Sequence, residues 1–188
     1  MNLQEALIND VAVEPYPNEG PIQKRHTISL LVKNVPGLLA QIANLFAARG
    51  RNIDSLTVSE TESKSFSRIT LVVQADDLII GALQKRLDRF IDVIEVVNFT
   101  SIDYVECDLA LVKVHTTSQK RHEIVTLVKL FKANVVDIGV GHMTIQMAGP
   151  QAKIDAFINM MRPFGIKELA RTGRLAMAKG MDMKGYAS

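Results

Sequence analysis

The chain has 188 residues, 47% hydrophobic and 22% charged, with a formal net charge of +2. That balance excludes a disordered chain, and with acids and bases interspersed it leaves no field of one sign to draw nucleic acid or an anionic membrane. A single cysteine, Cys107, excludes an internal disulfide and a cysteine-based zinc cluster within one chain.

Residues 1–25 hold half of the six prolines, at Pro15, Pro17 and Pro21, and read as an extension with at most one helical turn around 3–8. A strand follows over 26–33, with Ile28, Leu30 and Val32 on one face. It runs into Asn34-Val35-Pro36-Gly37-Leu38-Leu39, from which Leu38, Leu39, Ile42, Leu45 and Phe46 recur at helical spacing. Pro36 has a preset φ and no N–H to lose, which suits a helix entrance, and Gly37 lets a ligand approach the backbone without meeting a Cβ. Unpaired N–H groups and the positive end of the helix dipole suit a carboxylate there. Asn34 adds an amide able to donate and accept, so it suits an α-carboxylate or an α-ammonium group. A simpler reading makes Asn34 a helix cap and Gly37 a packing residue.

Arg49-Gly50 ends this helix, with glycine at an expected left-handed position, and Asn52-Ile53 opens the next strand at the opposite end of the helix from Asn34. One chain therefore keeps its two asparagines apart, whereas two paired chains bring them together.

The pattern continues with strands over 53–59 and 66–74, a helix over 76–90 with Asp76 or Asp77 as its cap, and a strand over 93–99. The order is βαββαβ. It returns as strand 108–116, helix 118–133, strands 134–140 and 142–148, helix 150–161 and strand 166–172, so the chain is a structural repeat. Leu31-Val32-Lys33 and Leu111-Val112-Lys113 are expected at equivalent places in their first strands. After Val114 comes His115-Thr116-Thr117-Ser118-Gln119-Lys120, with neither proline nor glycine, so the second unit is expected to keep the fold without the pocket.

The fold class is thus α+β, two ferredoxin-like βαββαβ sandwiches in tandem. The expected division is an extension over 1–25, a unit over 26–100, a linker over 101–107, a second unit over 108–175 and a tail over 176–188. Each unit is small enough to be marginal alone, and two helices cover one face of a four-stranded sheet. Association is expected to supply the missing burial, with a symmetric dimer joined through the second strands bringing Asn52 of one copy toward the Asn34 turn of the other.

No catalytic constellation stands out. His26, His115, His122 and His142 are scattered without metal-ligand spacing, Met143 and Met147 alternate with Ile145 as core, and Lys120-Arg121-His122 reads as a solvated helix end. No apolar run approaches the roughly 20 residues of a membrane span, and the amino terminus lacks the pattern of a signal or transit peptide, so cytoplasm is the expected location. The βαββαβ order is shared with RNA-binding sandwiches, but the third strand offers Phe66 and then Arg68, Thr70 and Val72 where stacking aromatics belong. An enzyme with an unrecognised site is the other alternative.

The set Asn34-Val35-Pro36-Gly37-Leu38-Leu39, then Gly50-Arg51-Asn52-Ile53-Asp54-Ser55-Leu56, Ser67-Arg68-Ile69-Thr70, Lys153-Ile154-Asp155-Ala156-Phe157 and Ala170-Arg171-Thr172-Gly173, resembles the small regulatory subunit of acetohydroxyacid (acetolactate) synthase, a family that begins with an ACT domain. The resemblance implies a non-catalytic chain that forms a homodimer through its ACT domains and binds the catalytic large subunit. It implies activation of that subunit and feedback inhibition by valine in branched-chain amino-acid biosynthesis. It places the effector on Asn34, Val35, Pro36, Gly37, Leu38, Leu39, Asn52 and Ile53. It assigns no cofactor to this chain, and thiamine diphosphate, Mg and FAD to the catalytic subunit. The alternative within the same fold is a stand-alone ACT-type sensor that regulates a different enzyme.

Overall fold

The computed structural model describes residues 24–180. The helical turn expected around 3–8 lies outside them. Two antiparallel sheets repeat one topology. The first has the order β2-β3-β1-β4, from β1 (Lys24–Lys33), β2 (Ile53–Glu60), β3 (Phe66–Ala75) and β4 (Val93–Asn98). The second has the order β6-β7-β5-β8, from β5 (Tyr104–His115), β6 (Asn134–Ile138), β7 (His142–Gly149) and β8 (Ile166–Arg171). Helices α1 (Leu38–Ala47) and α2 (Asp77–Leu87) cover one face of the first sheet, and α3 (Arg121–Leu130) and α4 (Gln151–Met161) one face of the second.

Each core forms where strand period 2 meets helix period 3.6. Ile28, Leu30, Val32, Ile69, Leu71 and Val73 face Leu38, Ile42, Phe46, Ile80, Leu83 and Leu87 in the first. Ala110, Val112, Val114, Met143, Ile145 and Met147 face Ile124, Val128, Ile154, Phe157 and Met161 in the second. Full burial of each such aliphatic or aromatic side chain contributes about 1.5–3 kcal/mol. Asp76 caps α2 as expected, its carboxylate accepting from the Ile79 N–H at 2.7 Å.

The internal repeat is closer than the motif match suggests, and it has a different register. Lys33 N–H bonds to Asp92 O and Asn34 N–H to Ser65 O, while His115 N–H bonds to Gly165 O and Thr116 N–H to Gly141 O. Asn34 therefore corresponds to Thr116, and Lys33 to His115. The same offset carries the irregularity at Ile53/Ser55 onto Val135/Asp137 and that at Leu31/Val32 onto Lys113/Val114. Leu31-Val32-Lys33 thus matches Lys113-Val114-His115 rather than Leu111-Val112-Lys113. A slip of two residues preserves every side-chain face, so alternation alone gives the same pattern for either alignment.

Several boundaries also differ from expectation, among them the helices expected over 76–90 and 118–133, which span Asp77–Leu87 and Arg121–Leu130. β1 begins at Lys24. The stretch read as a linker over 101–107 starts on the last residue of a 3-10 turn (Phe99–Ser101) and holds the first four residues of β5, Tyr104 to Cys107. Those four pair with β9 (Leu175–Ala178), a strand inside the stretch read partly as tail. The Phe99 and Tyr104 rings, 4.9 Å between centroids, fix the turn into this ribbon.

The β5–β9 ribbon changes where burial comes from. Thr27, Ser29, Leu31, Thr70 and Val72 point away from the helices, yet all are buried. The ribbon lies across that face, its Val105, Leu175 and Met177 sharing a groove with Arg68 and Thr70 of β3. The helix-free face of the first sheet is therefore covered within the chain, not left to association. It is also the face on which an RNA-binding sandwich stacks its bases. On the second sheet the corresponding face stays open, with Leu111 and Ala170 exposed. Among the described residues no helix is long and apolar enough to cross a membrane.

Candidate functional site: the β1–α1 turn and the start of β2

Pro36 and Gly37 form the turn into α1, and Gly37 has φ 84° and ψ −13°. That is the geometry of the third residue of a type II turn, which wants glycine there and favours proline just before it. A Cβ on Gly37 would meet nothing within 4 Å, so φ, not packing, demands the glycine, and the space above it is open. Gly37 is also the N-cap and offers no side chain to the helix. The N–H groups of Leu38, Leu39 and Ala40 have no carbonyl four residues back inside the helix.

Asn34 does not cap α1. Its Nδ2 donates to Glu60 Oε1 at 3.2 Å and to the Lys64 carbonyl at 3.1 Å, so the amide ties the turn to the β2–β3 hairpin. Both bonds use Nδ2, which turns Oδ1 into the amide's free end and suits it to an ammonium donor rather than a carboxylate. Val35 and Leu39 are each 40% exposed beside the turn, whereas Leu38 is sunk in the first core and offers the site only its N–H.

Asn52 and Ile53 lie at the far end of the unit. Asn52 is exposed, and Ile53 packs partly on the core. Because Asn34 bonds to Glu60, and Ile53 lies seven residues before Glu60 on β2, the two halves of the expected site are roughly 23 Å apart at about 3.3 Å per residue. The structure brings Asn34 to Leu39 together and keeps Asn52 and Ile53 apart from them within one chain. β2 is an edge strand, and its Leu56 and Val58, opposite core residues Leu71 and Ile69, are about two-fifths exposed.

The histidines take structural roles or stand apart. His26 is buried, with Nδ1 2.7 Å from Thr100 Oγ1 and Nε2 3.1 Å from the Ala75 carbonyl, and His142 lies 3.0 Å from Asp137. Among the described residues no three His, Cys, Asp or Glu side chains are grouped to hold a metal.

A second cluster, which the sequence did not reveal as a site, joins the two units. Arg171 donates to Asp108 at 2.7 Å and to Asp155 at 2.8 Å. Burial pulls the Arg171 pKa down, but the hydrogen bonds and charges of the two aspartates outweigh it and hold the guanidinium above its ordinary value. Thr57 Oγ1 donates to the Thr172 carbonyl, and the Arg174 N–H donates to Ser55 Oγ at 3.0 Å. The Arg174 guanidinium reaches Thr27 Oγ1 at 2.8 Å, Gln151 Oε1, and Glu106 at 3.2 Å. The only hint in the sequence is the string Ala170-Arg171-Thr172-Gly173, which carries no chemistry without its distant partners.

Two family models match. One, for the small subunit of acetolactate synthase, covers residues 108–180, and the other, an acetohydroxyacid synthase small-subunit-like ACT domain, covers residues 28–95. An Archaeoglobus fulgidus protein described as "Probable acetolactate synthase small subunit" is 46% identical over 156 residues, which cover 83% of this chain and 98% of the relative. The chain belongs to the acetolactate synthase small-subunit family. The Aquifex aeolicus acetolactate synthase small subunit is 43% identical over 162 residues, or 86% of this chain and 84% of the relative. The crystal structure of the Thermotoga maritima acetolactate synthase small subunit matches with a TM-score of 0.75 at 36% identity, over 83% of this chain and 98% of that one. Membership makes the first unit an ACT domain and implies a catalytic large subunit as partner.

Proposed function

We propose that this chain is the cytoplasmic regulatory subunit of acetolactate synthase, which activates the thiamine-diphosphate-dependent catalytic subunit and makes it sensitive to a branched-chain amino acid, valine first. The catalytic chemistry, with thiamine diphosphate, Mg and FAD, is assigned to the partner. The observation that carries the reading is the open turn at Gly37, where α1 begins on a bare backbone between the half-exposed Val35 and Leu39, three residues after an Asn34 whose bonds to the hairpin use Nδ2 alone. The α-carboxylate meets the first-turn N–H groups, the ammonium meets Oδ1, and the side chain lies among the apolar groups.

Asn52 and Ile53 complete this site from a second copy, because within one chain β2 carries them away from the turn. A homodimer joined at the β2 edges covers Leu56 and Val58 as well. One methylene changes binding by about 1–3 kcal/mol, so such a pocket selects branched-chain side chains as a class before it ranks them. A ligand that bridges two copies shifts the enzyme only by its difference in affinity for the two dimer states, with typical couplings of about 1–3 kcal/mol.

Calorimetric titration of valine into the purified chain tests the reading. Binding is expected, and Asn34→Ala and Asn52→Ala should each weaken it at least tenfold. Unchanged affinity in both variants would reject the site.

A further inference from the structure

β2 has two ends of interest and one middle. Its start carries Asn52 and Ile53, its end carries Glu60 against Asn34, and its middle is gripped by the C-terminal unit. On the helix-free side of β2, Ser55 and Thr57 meet the turn that follows β8: Thr57 Oγ1 donates to the Thr172 carbonyl at 3.2 Å, and Ser55 Oγ accepts the Arg174 N–H at 3.0 Å. Between those bonds Gly173 stands at φ 88°, and a Cβ on it would come within 2.5 Å of Ser55 Oγ and 3.1 Å of Thr57 Oγ1. The backbone can approach β2 this closely only as glycine.

Arg174 extends the grip. Its side chain is largely buried, and its guanidinium spans Thr27 on β1, Glu106 on β5 and Gln151 at the start of α4. One residue thus bonds two strands of the ACT domain and two elements of the C-terminal unit. The base of this turn is held in its own unit, since Thr172 N–H bonds to Leu109 O, Thr172 Oγ1 accepts from Leu109 N–H, and Arg171 is paired with Asp108 and Asp155. A shift of β2 along its length or a change in its twist therefore breaks polar bonds at Ser55 and Thr57 unless the turn after β8 moves with it. Packed, hydrogen-bonded contacts of this kind hold discrete arrangements rather than deforming continuously.

We propose that the Thr172–Gly173–Arg174 turn couples the effector site to the C-terminal unit, with Arg174 as a positioning residue that passes effector occupancy at the start of β2 to β5 and α4. This rests on the reading of Asn34 and Asn52 as effector residues. Two sites in one chain thereby become coupled through a strand that both contact. The cavity of about 380 Å³ beside the turn, lined by Arg25, Asp54, Ser55, Gln151, Arg171 and Arg174, gives these side chains room to repack.

The test uses the holoenzyme reconstituted with full-length Arg174→Gln, Arg174→Lys or Ser55→Ala chains. Each is assayed for valine binding by calorimetry, for activation of the catalytic subunit, and for valine inhibition. Arg174→Gln and Ser55→Ala should keep valine affinity within about threefold and activation within about twofold, while residual activity at saturating valine rises severalfold. Arg174→Lys should restore inhibition in part. Inhibition like wild type in both Arg174→Gln and Ser55→Ala overturns the coupling, as does a loss of affinity that matches the loss of inhibition, or a common loss of activation and of thermal stability. A wild-type chain that binds no branched-chain amino acid overturns the effector reading itself, and the coupling with it.

Discussion

The turn that leaves β1 and the turn that leaves β5 occupy the same place in two copies of one fold, and their chemistry is opposite. In the first, Gly37 sits at the helix entrance with a bare backbone, and the Asn34 Nδ2 donates to the hairpin. In the second, the position of Asn34 is taken by the buried Thr116 and that of Gly37 by Gln119, and Thr117 Oγ1 accepts from the Lys120 N–H at 3.4 Å. The helix α3 begins at Arg121, three residues beyond the start that periodicity gave. Neither entrance has a side-chain cap, but the second opens on Lys120 and Arg121 where the first opens on the bare backbone of Gly37. Asn134 still stands where Asn52 stands in the first unit, so the second unit keeps the counterpart of Asn52 without those of Asn34 and Gly37.

The largest expected effect separates the two cores. Phe46 and Phe157 are both fully buried, one in each, and truncation of either to alanine should cost about 3–5 kcal/mol. Thermal or denaturant melts should show similar losses, but only Phe46→Ala, at the end of α1, should abolish valine binding at temperatures where the other unit stays folded. Equal loss of binding in both variants would mean that the units fold as one. Next comes Gly37→Ala. A non-glycine residue at φ 84° costs about 1–2 kcal/mol, so effector affinity should fall roughly five- to thirtyfold through backbone displacement, while Gln119→Ala at the corresponding place should leave it unchanged. Calorimetry on the two variants side by side checks this.

A smaller effect lies at the far ends of the same helices. After α1, Arg51 N–H bonds to Phe46 O and Gly50 N–H to Ala47 O, and after α3, Ala133 N–H bonds to Val128 O and Lys132 N–H to Lys129 O. Both are Schellman motifs, with Gly50 at φ 62° in one and Lys132 at φ 55° in the other. Lys132→Gly should stabilise the second unit by about 1 kcal/mol, and Gly50→Lys should destabilise the first by a similar amount, since nothing crowds a Cβ there. Chemical denaturation midpoints decide both, and a destabilised Lys132→Gly would mean that the lysine side chain contributes more than its backbone costs.

How much of this was legible in the residues follows their range. Strand and helix periods, the Asp76 cap and the left-handed Gly50 are local, and local chemistry suffices to read them. The turn at Gly37 was legible for the same reason, as proline followed by glycine at a strand-to-helix junction. The hairpin bond of Asn34, the ribbon of Tyr104 to Cys107 with Leu175 to Ala178, and the grip of Arg174 on Thr27 and Ser55 depend on residues from 26 to 147 positions apart, which no spacing rule encodes. The two-residue slip between the repeats was hidden because a strand's faces recur every second residue, and only the hydrogen bonds at the strand ends set the frame.

With the frame set, Leu31 and Lys113 become equivalent, and they report which sheet face is covered. Leu31 is buried beneath the ribbon, while Lys113 stands on the bare face of the second sheet and donates to Glu168 at 2.9 Å. The hydrogen bond and charge of Glu168 raise the Lys113 pKa, and those of Lys113 lower the Glu168 pKa. A lowered carboxylate contributes stability above its unfolded pKa and loses it as pH falls through the folded value. A raised amine contributes below its unfolded pKa and loses it as pH rises through the folded value, so the pair acts between the acidic and alkaline limits. Both groups are solvated, so the effect on stability should be slight and should fade with salt. The sharper readout is the carboxyl titration of Glu168 by NMR, whose midpoint should move up toward the ordinary glutamate range in Lys113→Gln. An unmoved midpoint would mean that the pair does not persist in solution and that the two charges on the open face of the second sheet are solvated separately.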